Sequence, residues 1–131
     1  MNKRGFTLIE VLAVIVILAV IALITTPIIF NVVDDSRMNA FTRSVEEMRN
    51  VIDMDYNEYA RSGEVEYKYA NNRLFCVGCN GGADLNLDFT GEISGASGTF
   101  YNTNGKIRLT VENNKYKATD DGSGDVVTVK K

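Results

Sequence analysis

Between Phe6 and Val33 the chain places 28 residues and a single charge, Glu10. A hydrocarbon layer about 30 Å thick needs about 20 helical residues, so this run is long enough to span one. Lipid offers no water to free backbone groups, which makes helix the expected state here. From Asp34 to Ser62 the pattern changes character. Met38, Phe41, Val45, Met48, Ile52, Tyr56 and Tyr59 recur at spacings of 3, 4, 3, 4, 4 and 3, one apolar stripe on a helix. Arg43, Glu46, Glu47, Arg49, Asp53 and Glu58 fall on its other faces. Asp34, Asp35 and Ser36 offer a capped new start, yet no second breaker follows Pro27. The spacing therefore predicts one continuous helix from Phe6 to Ser62, roughly 85 Å at 1.5 Å per residue. Gly63 is its natural stop.

Beyond Gly63 the period shortens to two. Residues 64–69 alternate polar and apolar, and Asn71-Asn72 turns them into a second strand at 74–77. Leu85, Leu87 and Phe89 alternate in a third. Ile107, Leu109 and Val111 share one face of a fourth, with Arg108 and Thr110 on the other. Asn113-Asn114 turns it into 115–118, and Val126 to Val129 forms a last strand. The glycine-rich stretches 78–82, 91–98 and 121–124 read as loops. The expectation is α+β: a long N-terminal helix, membrane half plus amphipathic half, laid on a small antiparallel C-terminal sheet. Its divisions are a leader 1–5, an apolar helix 6–33, an amphipathic helix 34–62 and an outer β domain 63–131.

Charge orients this arrangement. Lys3 and Arg4 precede the apolar run and hold that end in the cytoplasm, which puts everything after Val33 outside. The formal net charge is −3; without Lys3 and Arg4 the cations number 12 against 17 acids, a net −5. A weakly acidic outer domain argues against nucleic-acid binding, which needs a clustered basic surface. The 131 residues contain no histidine, which removes Ser-His-Asp and Cys-His catalysis and the commonest metal ligand. No paired acid and base and no activated nucleophile stands out, so no catalytic residue is expected. An ordinary secretory signal has an apolar core of about 7–15 residues closed by small residues, a pattern this longer run does not follow.

The string Gly5-Phe6-Thr7-Leu8-Ile9-Glu10 after a short basic leader resembles the prepilin signal of type IV pilins and type II secretion pseudopilins. The likeness is specific over residues 3–30 and generic beyond. It implies that a membrane aspartic peptidase, the prepilin peptidase, cuts between Gly5 and Phe6 on the cytoplasmic side, and that the new Phe6 amine is methylated. Gly5 suits the cut because a residue without a side chain lets the peptidase approach the backbone.

Glu10 carries the sharpest expectation. An unpaired carboxylate among apolar helices costs several kcal/mol, and one matched to a cation recovers most of it. No Lys or Arg of its own helix reaches it. The processed Phe6 amine of a neighbouring copy is the available cation, which makes Glu10 a register device for a head-to-tail array; a self-neutralised carboxyl in lipid is the bland alternative. Pro27 removes the donor for the Leu23 carbonyl, and Thr25 and Thr26 compensate by bonding back to the preceding turn. It marks either a simple kink or a point of local unwinding, and the resemblance implies the second. Gly5, Phe6, Glu10 and Pro27 are thus the candidate processing and assembly residues.

Two further groups carry chemistry of their own. Cys76 and Cys79 lack the partners for zinc and the helix start of a redox pair. Outside the membrane they read as a structural disulfide pinning one turn, with two free, partly buried thiols as the alternative. The resemblance is imperfect here, since many pilins close a longer C-terminal loop. Asp120, Asp121 and Asp125, interleaved with glycines, form a weak calcium candidate, otherwise a solvated turn; no other cofactor is expected.

The expected function is a structural, non-enzymatic subunit of a type IV pilus-like surface filament. It would be made as a precursor in the cytoplasmic membrane and displayed at the cell surface. Its implied partners are copies of itself, the prepilin peptidase, and an inner-membrane assembly platform with its ATPase. The alternatives are a pseudopilin or minor pilin of a secretion or DNA-uptake machine, and a bitopic membrane protein with a small binding domain that never polymerises.

Overall fold

The computed structural model describes residues 5–79 and 84–131. Lys3 and Arg4 of the expected leader, positions 80–82 of the first glycine-rich stretch and the side chain of Leu87 lie outside the described residues. Two compact units divide the chain, Met1–Ser36 and Arg37–Lys131. One helix, α1 (Leu8–Glu58, 51 residues), contributes to both.

In the first unit the large apolar residues of α1 from Leu8 to Val33 are all exposed within the chain. It is long and apolar enough to cross a membrane, by length and composition. The helix continues through Pro27. The Thr25 hydroxyl donates to the Ile21 carbonyl at 2.9 Å and the Thr26 hydroxyl to the Ala22 carbonyl at 2.6 Å. Both threonines back-bond as expected, but to carbonyls other than that of Leu23, which Pro27 deprives of its helical donor.

In the second unit α1 presents Phe41, Val45, Met48, Ile52 and Tyr56, all buried, with Met38 and Val51 partly covered beside them. The expected stripe is present up to Tyr56. Tyr59, assigned to it from spacing, is 56% exposed because the helix has already ended. The stop at Gly63 is also corrected. The Arg61 N–H donates to the Tyr56 carbonyl at 3.0 Å and the Ala60 N–H to the Asn57 carbonyl at 3.2 Å, while Ala60 takes φ +46°. This pair of bonds is a Schellman closure, with an alanine in the left-handed position that glycine usually fills.

Among the described residues the sheet has seven strands, all antiparallel to their neighbours, in the order β3-β2-β1-β4-β5-β6-β7. They are β1 (Glu64–Ala70), β2 (Arg73–Val77), β3 (Asp84–Asp88), β4 (Ser97–Thr103), β5 (Lys106–Glu112), β6 (Tyr116–Asp121) and β7 (Val127–Lys130). Tyr67, Tyr69, Leu74, Cys76, Phe100, Leu109, Val111, Tyr116 and Ala118 join the helix stripe in one core. Phe41 meets Tyr116 with ring centroids 5.6 Å apart.

β4 is the strand the residue pattern did not predict. It holds the centre of the sheet, paired with β1 on one side and β5 on the other, while its first two residues fall in the stretch expected to be loop. Gly91–Ile93 of that stretch forms a single 3-10 turn. The inward positions of β4 are Gly98, Phe100 and Asn102, so only one of three is a large apolar residue. Gly98 is demanded by crowding: a Cβ there would lie 2.6 Å from Val111 Cγ2 and 2.7 Å from the Thr110 carbonyl oxygen. The sequence signal that betrays the strand is Asn104-Gly105, whose positive φ values of 52° and 92° make the hairpin turn into β5. The Asn71-Asn72 turn forms as expected, at φ 54° and 62°. At the third turn Asn113 Oδ1 accepts the Lys115 and Tyr116 N–H groups, so β6 starts one residue later than expected.

Candidate functional site

The N-terminal segment is built from backbone outward. Gly5 has open space where a side chain would stand, and Phe6 is 88% exposed. Thr7 caps the helix. The Glu10 N–H donates to Thr7 Oγ1 at 3.2 Å, and the Thr7 N–H donates to Glu10 Oε2 at 3.2 Å. This reciprocal pair satisfies two of the free donors at the helix start, and it places a carboxylate where the helix dipole favours negative charge. Glu10, expected as a lone charge, thus has a partner in its own turn, and Thr-x-x-Glu is the sequence signature of such a capping box. Removing residues 1–5 leaves both bonds intact, since neither atom pair involves the leader.

Pro27 stands within α1 seventeen positions after Glu10, and its neighbourhood is exposed and apolar. Among the described residues no lysine or arginine pairs with Glu10 in the ion pairs of the chain. One copy of the molecule therefore places Gly5, Phe6 and Glu10 together at one helix end and leaves the apolar surface behind them exposed.

Cys76 and Cys79 are joined in a disulfide, with Cα atoms 5.7 Å apart. Cys76 is in the core and Cys79 half-buried, so the bridge ties the end of β2 to the turn after it.

Asp120 and Asp121 each spend their carboxylates on partners within the fold. Asp120 is buried on the inner face of β6, where its Oδ2 accepts Arg49 Nη1 at 3.1 Å. Its Oδ1 accepts the Gly122 and Gly124 N–H groups at 2.8 and 3.3 Å. Asp121 Oδ1 accepts the Ser123 N–H at 3.1 Å, and bonding to Ser123 holds its carboxyl below the usual range. Among the described residues no group of three acidic, Cys or His side chains is placed to hold a metal. The physical reason is Arg49: the guanidinium already supplies the positive charge that Asp120 needs, and Arg49 also donates to the Gly124 carbonyl at 2.5 Å.

A third cluster joins residues that no local motif singles out. Asp55, at the end of α1, is buried, and its Oδ2 accepts both Arg61 Nε at 2.9 Å and the Tyr67 hydroxyl at 2.6 Å. Burial first, then the adjoining carboxylate, push the Tyr67 hydroxyl well above the ordinary tyrosine value. Burial alone raises Tyr69. Asp55 follows Ile52 by three, the one hint that it shares the buried stripe.

Neither a curated protein nor a solved structure matches the chain. The family model described as the prokaryotic N-terminal methylation motif matches residues 1–26. That span covers the leader, the Thr7–Glu10 cap and the apolar run as far as Thr26. It implies processing by a prepilin peptidase and points to a structural, non-enzymatic role. The exposed apolar helix behind it fits a single transmembrane segment and insertion of the precursor into the membrane. The N-terminal segment carries a class III, prepilin-type signal, the kind found on type IV pilin-like and pseudopilin-like proteins.

Proposed function

We propose that the chain is the structural subunit of a type IV pilus-like filament, cut after Gly5, methylated at Phe6 and assembled through its N-terminal helix. The observation that carries this reading is Glu10, a carboxylate one turn into a stretch with no other charge as far as Val33, and partnered among the described residues of the copy by Thr7. Its second oxygen is available to the Phe6 amine of a neighbouring copy, an N⁺–H···O⁻ contact roughly twice as strong as a neutral hydrogen bond. Such a pairing is head-to-tail and does not close, so it propagates as a fibre. Leaving the bilayer is physically reasonable because the apolar helix exchanges lipid for neighbouring helices of equal apolarity. At Pro27 the Leu23 carbonyl lacks a helical donor, which makes that turn the place where the helix unwinds as subunits pack. The implied partners are the prepilin peptidase, a membrane assembly platform and its ATPase, and the destination is the cell surface.

The same signal serves pseudopilins and minor pilins of secretion or DNA-uptake machines. Electron microscopy of sheared surface material separates them: long filaments containing this chain support the major-subunit reading, and its confinement to a membrane fraction overturns it. N-terminal mass spectrometry of the native protein is expected to show a methylated Phe6; a chain still beginning at Met1 refutes the processing. Glu10→Val is expected to stay membrane-bound and fail to assemble with itself, and normal fibres from that variant refute the charge pairing.

A further inference from the structure

The turn at Asn104-Gly105 is held by more bonds than a two-residue hairpin needs. Gly105 N–H donates to Asn102 Oδ1 at 3.0 Å. Asn104 N–H donates to the Tyr56 hydroxyl oxygen at 3.2 Å. The single hydroxyl proton of Tyr56 is shared between the Gly63 carbonyl at 2.8 Å and Asn104 Oδ1 at 3.3 Å. Asn102 itself is fully buried, and its Nδ2 has no partner. An orphaned buried amide is a standing cost that calls for an explanation.

Asn-Gly is also the dipeptide most open to attack on itself, because no Cβ hinders the glycine nitrogen. We propose that Asn104 is a latent site of spontaneous deamidation, and that Asn102 and Tyr56 are positioning residues that keep it inert. In the reaction the Gly105 nitrogen attacks Asn104 Cγ and an N–Cγ bond forms. The bond from Cγ to the side-chain nitrogen breaks, and ammonia leaves carrying the proton that Gly105 gave up. The resulting succinimide adds water at either carbonyl and opens to aspartate or to isoaspartate, the latter with an extra methylene in the main chain. No other reactant is needed. The bond to Asn102 opposes the first step by holding the Gly105 proton and fixing the peptide plane. The Tyr56 hydroxyl opposes it by holding the Asn104 main-chain N–H and its side-chain oxygen. Because the turn joins β4 to β5 at the centre of the sheet, modification there reaches the core. This inference stands whether or not the chain forms filaments.

The test follows the acid-for-amide mass change at Asn104 in the full chain in detergent micelles, incubated at mildly alkaline pH and sampled by peptide mass spectrometry. The native rate is expected to be at least about tenfold below that of the same chain unfolded in denaturant, since reaction requires the turn to open. Tyr56→Phe and Asn102→Ala are each expected to speed the native reaction by about threefold or more, the worth of one lost hydrogen bond, and to leave the unfolded rate unchanged. Gly98→Ala, which strains the same strand away from the turn, is expected to keep the native rate near that of the parent. Equal native and unfolded rates overturn the proposal, as does a Gly98→Ala effect matching that of Asn102→Ala. Should Asn102→Ala not fold, Tyr56→Phe decides: an unchanged rate in that folded variant overturns the proposal.

Discussion

Replacing Asp55 with alanine strands two buried donors at once. Asp55 is 5% exposed and the Arg61 side chain 12%, and Arg61 Nη2 already lacks a partner. Removing one member of a buried ion pair costs about 3–5 kcal/mol, because the remaining charge stays desolvated. The Tyr67 hydroxyl, 2.6 Å from the same carboxylate oxygen, adds about 1–3 kcal/mol as an unsatisfied donor. The two costs share one atom and do not add in full, so the net loss is expected at about 3–5 kcal/mol. Against a typical stability of about 5–15 kcal/mol, that leaves the unit Arg37–Lys131 marginal. At about 4–8 °C per kcal/mol for a unit of this size, its melting midpoint falls by at least about 12 °C. The assay is a thermal melt of the full chain in micelles, followed by near-ultraviolet tyrosine circular dichroism, since the chain has no tryptophan. Tyr67→Phe removes only the hydroxyl and is expected to cost about 1 kcal/mol. Asp55→Leu combined with Arg61→Met should recover most of the loss, because replacing both charges leaves none unpaired. An Asp55→Ala loss smaller than that of Tyr67→Phe would refute this account of the cluster.

Ala60→Gly is expected to stabilise the unit Arg37–Lys131 by about 0.5–1 kcal/mol, because a left-handed alanine costs about 1–2 kcal/mol and glycine recovers most of it; chemical denaturation of both chains checks this. Gly98→Ala goes the other way, by about 1–3 kcal/mol, since its Cβ meets backbone and Val111 with no room to yield. Alkaline pH should weaken the fold through Tyr67 and Tyr69, whose hydroxyls ionise at higher pH when folded than when unfolded. Their contribution is complete below about pH 10, the unfolded value, and is lost as pH rises toward the folded values. Tyr67→Phe should flatten that limb of a stability-against-pH curve, and an unchanged limb would show that these hydroxyls are not its source.

The helix and most of the sheet were legible because their periods are strong. A stripe from Met38 to Tyr56 and the alternations in β1 and β5 leave little choice of element. What stayed hidden was decided by partners far off in sequence. β4 alternates glycine, phenylalanine and asparagine on its inner face, positions chosen by the crowding of Val111 and by a turn bond to Gly105. The helix stop moved from Gly63 to Ala60 because closure was set by bonds back to Tyr56 and Asn57, and the tertiary fold carried the strain of the alanine. Asp120 looked like a ligand in its local string and proved to face Arg49 from another element. At the candidate site Gly5, Phe6 and Glu10 were readable from one string, and the Thr7 partner was in that string as well.

The strand order has a kinetic consequence. β1 pairs with β4, bringing Glu64 opposite Thr103, and everything between them must loop out before that pair can zip. Hairpins such as β1–β2 and β4–β5 close over two-residue turns and can form in microseconds, whereas joining the two halves waits on a long loop closure. A newly made chain therefore spends its slowest folding interval with the inner edges of β1 and β4 bare, and that interval is when it is most open to mispairing with other chains.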